Sequence, residues 1–593
     1  MIMTCFWLAV VTFVGCILLA LYLNSRPHKS RQVLTPMNVL FTGVLFTAVF
    51  LFFPAFWLQV EEDGLQGLKS GLLALHSAIR AFAFDSDYDV IPEMIEGPIA
   101  SGYQAFAAIV VVTAPLLTFS FVLSFFGGMF AYIRVLAGYF QPVYVFSELN
   151  ERSLALAGDI HKKHPAACLV FTDVLDASDD GDLELQEQAT DLGAVMFRKD
   201  ILSVDFSVHS QDAPLNFFAI AQNEDSNVSH GLRLMELYGN RKSANLYVFS
   251  TGAESEAILS SAKPVSMHVR RVDEVRSLIN RVLYDEGHLL FDPNLPQVDG
   301  EKQITAVVVG MGKHGTAMIK ALSWFCQMDG YRVDIHGFDM DEQAEDIFTA
   351  QCPELMDPRY NGVTVPGEPR YRITIHSDLD VNTYSFAKEI KTLTDASYVL
   401  VSLGDDALNI RTAMKLRMLF EQVGAKPRIQ AIVYNSGKSA ALQGLKNFKD
   451  QSYDIDFIGD LEHSYSELVI MDSEVEAEAL KRHLRWGPEQ TFWAYEYNYS
   501  SSVALAIHSK AKQLQQIPGA MKPDEEQTPE ERALLEDLEH RRWNAYMRSE
   551  GYIYSGSPDK KSRNDLGKMH HNLIPYADLS EEDKRKDSKA ASK

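Results

Sequence analysis

The chain is poor in cysteine. Five are spread over 593 residues, at Cys5, Cys16, Cys168, Cys326 and Cys352, and no two form a CxxC pair. That spacing excludes a disulfide framework and a cysteine-based zinc site, and it suits domains kept in a reducing compartment. Basic residues are also in deficit: 55 Lys and Arg stand against 79 Asp and Glu, a formal net charge of -24. Phosphate-backbone binding needs a basic footprint, so nucleic acid is not an expected partner. HExxH, GxSxG and a Cys/His nucleophile arrangement are all missing. His314 lies inside a glycine turn, where a phosphate rather than a substrate would sit, so the sequence reads as a binding protein and not an enzyme.

Long apolar runs are present. Three stretches, roughly 4 to 23, 37 to 60 and 100 to 127, exceed or match the span of about 20 helical residues that a bilayer requires. The first lacks a basic leading region and a small-residue cleavage site, so it reads as a retained span and not a cleaved signal. The loop "NSRPHKSRQ" carries Arg26, Lys29 and Arg31 without an acid. The next loop, 61 to 98, carries Glu61, Glu62, Asp63, Asp85, Asp87, Asp89, Glu93 and Glu96 against Lys69 and Arg80. Positive charge stays inside. The expectation is a multi-pass inner-membrane protein with its N-terminus and acidic loop outside and everything from residue 141 in the cytoplasm. Within the acidic loop, Leu65, Leu68, Leu72, Leu75, Ile79 and Phe82 repeat at helical steps, followed by "FDSDYD". Span, amphipathic helix, acidic turn and span could frame a cation pore with a carboxylate ring. An interfacial helix with a solvated acidic loop fits the same pattern, and the potassium filter TVGYG is missing.

Beyond the third span, strand-like and helix-like segments alternate, the rhythm of a parallel α/β sheet. The rhythm occurs twice. The first pass holds "VYVFS", "CLVFTDV", "AVMFRKD", "NFFAIAQ", "NLYVFS" and "VSMHVRR"; the second holds "AVVVG", "VDIHGFD", "ITIHSD", "YVLVSLG", "RIQAIVY" and "IDFIGD". The predicted fold class is an α-helical transmembrane region plus α/β, with two tandem Rossmann-like parallel-sheet domains and a small, mainly α-helical C-terminal domain. The predicted boundaries are 1–140 for the membrane region, 141–290 and 303–475 for the two sheets, and 490–588 for the last domain. "FDPNLPQVDGEKQ", 291 to 303, reads as the linker between the sheets.

The second sheet opens with a glycine turn that reads as a phosphate cradle, with a tight strand–helix turn that holds no ligand as the alternative. Gly310 permits a tight turn, Gly312 lets backbone approach a pyrophosphate, and Gly315 lets helix and sheet close up. The helix starting near Lys313 would hold the phosphate on its N-terminal amides, and Asp339 stands where a ribose-binding acid belongs. In the first sheet Ser147, Leu149 and Arg152 take the three glycine places, and Leu149 should block close approach.

Tandem halves of this kind, together with "SLGDDALNI" (Asp406, Asn409) and its counterpart "NEDSNV", resemble the RCK family of potassium-conductance regulators and the related Trk-type regulatory domains. The resemblance implies NAD or an adenine nucleotide as ligand and assembly into a homo-oligomer, a dimer or tetramer, that acts on a membrane partner. The missing glycines of the first half and the missing filter depart from that family.

The C-terminal stretch "TPEERALLEDLEHRRWNAYMRSEGYIY" opens with Thr528 as N-cap, Pro529 at the first helical position and Glu531 completing a capping box. Glu539, Arg542, Trp543 and Tyr546 then share one helix face, a pattern able to pair with an anion and stack on a flat ring; spacing alone fits better a helix that packs through Trp543 and carries an ordinary surface ion pair. "LEHRRW", "GYIY" and "KMHHNLIPYADLSEEDKRKD", with the upstream "YEYNYSSSVALAIHSKAKQL", resemble the RyR domain, the repeat named after ryanodine receptors. The resemblance implies a small-molecule binding module. It carries over to Glu539, His540, Arg542, Trp543, Lys568, Leu573, Pro575 and Tyr576, and on the leading helix to Asn498, Ser501 and Lys512; Tyr552 takes the place of a usual aromatic.

These readings combine into a membrane-anchored, ligand-gated protein. A nucleotide-like small molecule would bind the Rossmann or RyR domain, or both, and open an ion channel or disturb the bilayer. Such an architecture would suit a signalling effector in antiphage (antiviral) defence. The alternative is an NAD- or ATP-binding regulatory subunit of a separate cation channel or transporter.

Overall fold

The computed structural model describes residues 1–24, 36–62, 64–83, 85–174, 180–260, 265–359, 369–471 and 473–585. The charge reading of Arg26, Lys29 and Arg31 and the last residues of the basic tail fall outside them. The chain divides into two compact units, one built mainly from residues 1–139 and one mainly from residue 140 onward.

The first unit is helical. Helices Ile2–Asn24, Pro36–Gln59 and Ala100–Ala137 contain segments long and apolar enough to cross a membrane: Ile2–Tyr22, Val39–Gln59 and Ala100–Phe119. The third helix continues well past the predicted end of its span. A further helix, Gln66–Ala81, forms where the amphipathic repeat predicts one, yet its large apolar side chains face away from the unit. Leu65, Leu68, Leu72, Leu75 and Ile79 are exposed, whereas Ser70, Ala74, Ser77, Ala78 and Ala81 are buried. Small residues let the helix lie close against the second span, as small residues do between packed membrane helices. A Cβ added at Gly67 would lie 3.3 Å from the Trp57 ring.

Two parallel sheets follow in the chain. The first is formed by β1 (Val143–Phe146), β2 (Cys168–Phe171), β3 (Val195–Met196), β4 (Leu215–Ala219), β5 (Ala244–Phe249) and β6 (His268–Val272), in the order β3-β2-β1-β4-β5-β6. The second has β7 (Gln297–Val298), β8 (Glu301–Val309), β9 (Tyr331–Phe338), β10 (Tyr371–His376), β11 (Ala396–Val401), β12 (Arg428–Ile432) and β13 (Ile455–Ile458). Its order is β10-β9-β8-β11-β12-β13, with β7 antiparallel to β8. Strands covered on both faces read as nearly unbroken apolar runs, and all five residues of β4 and the last six of β8 are buried. In each sheet the strand order reverses beside the first long strand, between β1 and β4 and between β8 and β11, and ligands of such sheets bind at this reversal.

The predicted linker 291–303 is partly structured. Asp299 and Gly300 take φ of 54° and 85° and join β7 to β8 as a tight hairpin. Asp-Gly is a favoured pair for a two-residue turn with both φ positive. The C-terminal helices Glu496–Leu514 and Pro529–Ser549 do not stand apart. Their Ala504, Ile507, Ala545 and Met547 share one apolar core with Ile304 of β8, Ile335 of β9 and Leu322 of helix Lys313–Phe325. Arg270 on β6 pairs with buried Glu476 and donates to the Tyr499 hydroxyl at 3.1 Å, which ties the same region to the first sheet.

Candidate functional site

The glycine turn follows β8 directly. Gly310 has φ of 92°, and a Cβ there would sit 2.5 Å from the Ser402 carbonyl oxygen. A Cβ at Gly315 would fall 1.8 Å from the carbonyl oxygen of Gly310. Both positions are therefore glycine because the protein's own backbone fills the space. Gly312 differs. It caps helix Lys313–Phe325 with φ of -65°, and nothing lies within 4 Å of where its Cβ would be. Its open side lies over the helix N-terminus, where unpaired amides and the helix dipole favour an anion.

That open side borders a cavity of about 640 Å³, within the range of small-molecule sites. Three parts of the second unit build it. Met311, Gly312, Lys313, Thr316 and Lys320 come from the turn and its helix. Glu224, Thr251, Glu254, Asp273 and Arg276 come from the loops and helices around the first sheet, and Ser500, Tyr546 and Glu550 from the C-terminal helices. Trp324 and Tyr546 supply aromatic wall, with ring centroids 6.3 Å apart.

Several of the cavity's charges are paired internally. Lys313 Nζ lies 2.9 Å from Glu224 Oε1 and donates to Thr251 Oγ1 at 2.7 Å. Glu224 also accepts from the Thr251 backbone N–H at 2.7 Å. Burial pushes the Glu224 carboxyl up, but the bonds from Lys313 and Thr251 outweigh it and bring its pKa to about 2. Across the cavity Arg276 lies 3.2 Å from Glu550. Burial alone would raise the Glu550 carboxyl, and Arg276 and Lys320 more than reverse it. An anionic ligand at Gly312 would thus meet Lys313 already held by a carboxylate.

The two halves repeat one polar device. Asn227 accepts from the Ala221 N–H at 2.6 Å and donates to the Phe249 carbonyl at 2.9 Å. Asn409 accepts from the Leu403 N–H at 2.6 Å and donates to the Ile432 carbonyl at 2.8 Å. Asn227 joins the end of β4 to the end of β5, and Asn409 the end of β11 to the end of β12. The acids three residues earlier match as well: Glu224 holds the Thr251 N–H, and Asp406 holds those of Tyr434 and Asn435 at 2.9 and 3.1 Å. The turns after the first strands do not match. In the first sheet Asn150 and Ser153 form a capping box on helix Glu151–Lys163. Arg152 pairs with Glu274 at 3.2 Å and donates to the Ala221 carbonyl at 3.0 Å. This turn is capped and bridged by side chains, whereas the cap of the second sheet's helix is a glycine.

Of the predicted cradle residues, Gly312 lines the cavity, while Gly310 and Gly315 shape the turn behind it. Asp339 Oδ2 accepts from the Met311 N–H at 2.6 Å and Oδ1 from the Asp341 N–H at 2.9 Å. It braces the glycine turn rather than lining the cavity.

The C-terminal candidates form a second grouping, away from the lining of this cavity. Thr528 and Glu531 make the expected capping box on helix Pro529–Ser549. Glu539 and Arg542 pair at 2.8 Å, and both are almost wholly buried. Lys512 is buried near them, with no hydrogen-bond partner for Nζ, and burial pushes its pKa down to about 8. His540 bonds the Ile574 carbonyl at 2.8 Å and lies beside the rings of Trp543 and Tyr576, at 5.7 and 6.0 Å between centroids. The Tyr576 hydroxyl donates to Glu536 at 2.5 Å. Asn498 lies apart, donating to the Thr491 carbonyl at 3.0 Å. Spacing places Glu539 and Arg542 on one face but does not reveal that the face turns inward. What the same helix gives the cavity is Tyr546 and Ser549, with Glu550 at its C-terminal cap. Sequence reasoning missed Glu224, Thr251 and Arg276. The available signal for Glu224 is its place in "NEDSNV", matching Asp406 in "GDDALNI".

No protein-family model and none of the curated proteins compared matches this chain. Among solved structures it is similar to a dipicolinate synthase subunit from Bacillus halodurans, at 10% identity over 56% of this chain and 96% of that one, with a TM-score of 0.20. A likeness at that level carries no argument about this protein. The assignment of two Rossmann-like sheets rests on strand order and the parallel registers, and that of a membrane region on three helices long and apolar enough to span.

Proposed function

We propose that this protein is a membrane-anchored sensor. It binds a nucleotide-like anion, NAD or an adenine nucleotide, in the cavity at Gly312, and the bound state acts on the membrane-spanning region. The observation that carries the reading is the open space above Gly312 at a helix N-terminus, beside a lysine, an aromatic wall and about 640 Å³ of room. A ligand phosphate on the helix amides would compete with Glu224 for Lys313. Ligand can shift a conformational equilibrium only by binding one state better than another. Exchange of the Glu224–Lys313 pair for a phosphate–Lys313 pair is such a difference, since it loosens the first sheet's hold on the glycine-turn helix. The sensor is not an enzyme in this reading. Its soluble unit lies in the cytoplasm, its N-terminus outside the inner membrane, and it works as a homo-oligomer. Its C-terminal region, with Arg542, Glu539 and Trp543, resembles an RyR module and helps to form the cavity wall.

Gly312→Val tests the site. The backbone at Gly312 is open to any residue, so the variant should fold. Its branched side chain occupies the phosphate's approach, and affinity of the full-length protein for NAD or ATP should fall at least about tenfold, or about 1.4 kcal/mol. A folded variant with unchanged affinity would remove the site from this cavity.

A further inference from the structure

The C-terminal helices bury more positive charge than they neutralise. Lys512 and His508 lie one turn apart on helix Glu496–Leu514 and are 2% and 0% exposed. Arg542 and Glu539, on helix Pro529–Ser549, are 1% and 2% exposed. Arg542 already engages Glu539, donating to it through Nε at 3.1 Å and Nη2 at 2.8 Å. Arg482, on helix Glu474–His483, is buried as well and pairs with Glu478 at 3.0 Å. Glu539, Arg482 and Arg542 are the charged groups that act on Lys512. Three cations thus stand with two carboxylates, and each carboxylate already holds an arginine.

Lys512 is the cation left over. Its Nζ has no hydrogen-bond partner among the described residues, and neither has Nη1 of Arg542. His508 adds no counter-charge. Its Nε2 bonds the Gln327 carbonyl at 2.9 Å, and burial, with Lys512 and Arg542 beside it, holds its pKa well below the usual range. Burial lowers the pKa of Lys512 only to about 8, so the ammonium persists at neutral pH. A charge in a dry interior is costly unless it is both paired and hydrogen-bonded. Water would satisfy the donors but leave the charge; an anion answers both. None of these side chains lines the cavity at Gly312, and groups so enclosed suit a small ion and not a nucleotide.

We propose that Lys512 Nζ and Arg542 Nη1 hold a halide-sized anion, chloride in the cell, between helices Glu496–Leu514 and Pro529–Ser549. The ion completes the charge balance of that core and joins the two helices that give the cavity wall Ser500, Ala504, Tyr546 and Ser549. The site is separate from the cavity and needs no nucleotide.

Thermal unfolding of the full-length protein in detergent tests it, at neutral pH and fixed ionic strength. Chloride is compared with gluconate, an anion too large for so enclosed a place. An ion that binds the native state and not the unfolded chain raises the melting temperature. The wild type should melt several degrees higher in chloride than in gluconate. Lys512→Met keeps the apolar stem and removes the charge. It should lose the chloride dependence and, in gluconate, melt no lower than wild type, since an unpaired buried charge has gone. Lys512→Gln is the second variant, should methionine prevent folding, and it too should lose the dependence. Lys426→Met, at an exposed lysine, should keep it. A wild type indifferent to chloride would overturn the proposal and leave the ammonium to buried water. Equal chloride dependence in wild type and the Lys512 variants would overturn it by placing the ion elsewhere. A Lys512→Met protein that melts well below wild type in gluconate would overturn it by showing that the chain itself compensates the charge. No arm uses a nucleotide, so binding at Gly312 stands or falls on its own assay.

Discussion

The two sheets share a strand order and a buried asparagine, yet treat the turn after their first strand in opposite ways. The first caps and bridges it with Asn150, Ser153 and Arg152, each bonded within the protein. The second leaves a glycine whose missing side chain nothing replaces. A Rossmann strand order alone therefore does not mark a ligand site. What marks one is unfilled space over the helix N-terminus. The first half lends Glu224 and Thr251 to the wall of the cavity at the open half's turn.

The largest break in this comparison should come from Gly315→Ala. Its methyl would meet a backbone oxygen that cannot step aside, so the second sheet should lose about 3 kcal/mol or more in a denaturant titration of the purified protein. Gly312→Ala is the control. With open space and ordinary backbone angles, it should unfold at the wild-type midpoint. If the two glycines tolerate alanine equally, the distinction between a packing glycine and a ligand glycine fails.

A middle-sized effect sharpens the likeness of the halves. Asn227→Ala and Asn409→Ala each strand a buried backbone N–H and a carbonyl. Each should cost about 1–3 kcal/mol, by similar amounts in the same titration. A cost confined to one of them would show that the repeat is geometric and not energetic. The smallest effect is Arg152→Ala. Its pair with Glu274 is part-exposed, and such pairs are worth about 1 kcal/mol or less. Nucleotide affinity should not change, because the first-half turn holds no ligand in this account; a clear loss of affinity would reverse the roles of the halves.

Much of the fold is legible in the sequence because its cause is local. Strands buried on both faces write themselves as runs such as "AVVVG" and "NFFAIA", and the capping box at Thr528 and Glu531 is visible by spacing. The hairpin at Asp299 and Gly300 is hidden in a segment that composition marks as a linker, although the Asp-Gly pair is its signal. The leucine repeat over 65–82 predicts a helix correctly, but a periodic pattern defines two faces and not which one packs inward. Here close approach of backbones favours the small residues. The site was half legible. The glycines announce the turn, whereas its other walls come from residues as distant as Glu224 and Glu550, joined to it by tertiary packing that no local pattern records. Likewise Glu539 and Arg542 are placed together by helical spacing, but only the packed structure shows them buried against each other.

Glu224 holds Lys313, and in the proposed sensor a ligand anion takes its place. The most direct measurement is the equilibrium affinity of the full-length Glu224→Gln variant for NAD and ATP, beside wild type. Glutamine keeps the shape and can still accept from the Thr251 N–H, but it no longer competes as an anion for the lysine. Removing a charge-assisted contact worth about 1.5–3 kcal/mol from the empty state should tighten binding about tenfold or more. Unchanged or weaker binding by a folded Glu224→Gln protein would contradict the account.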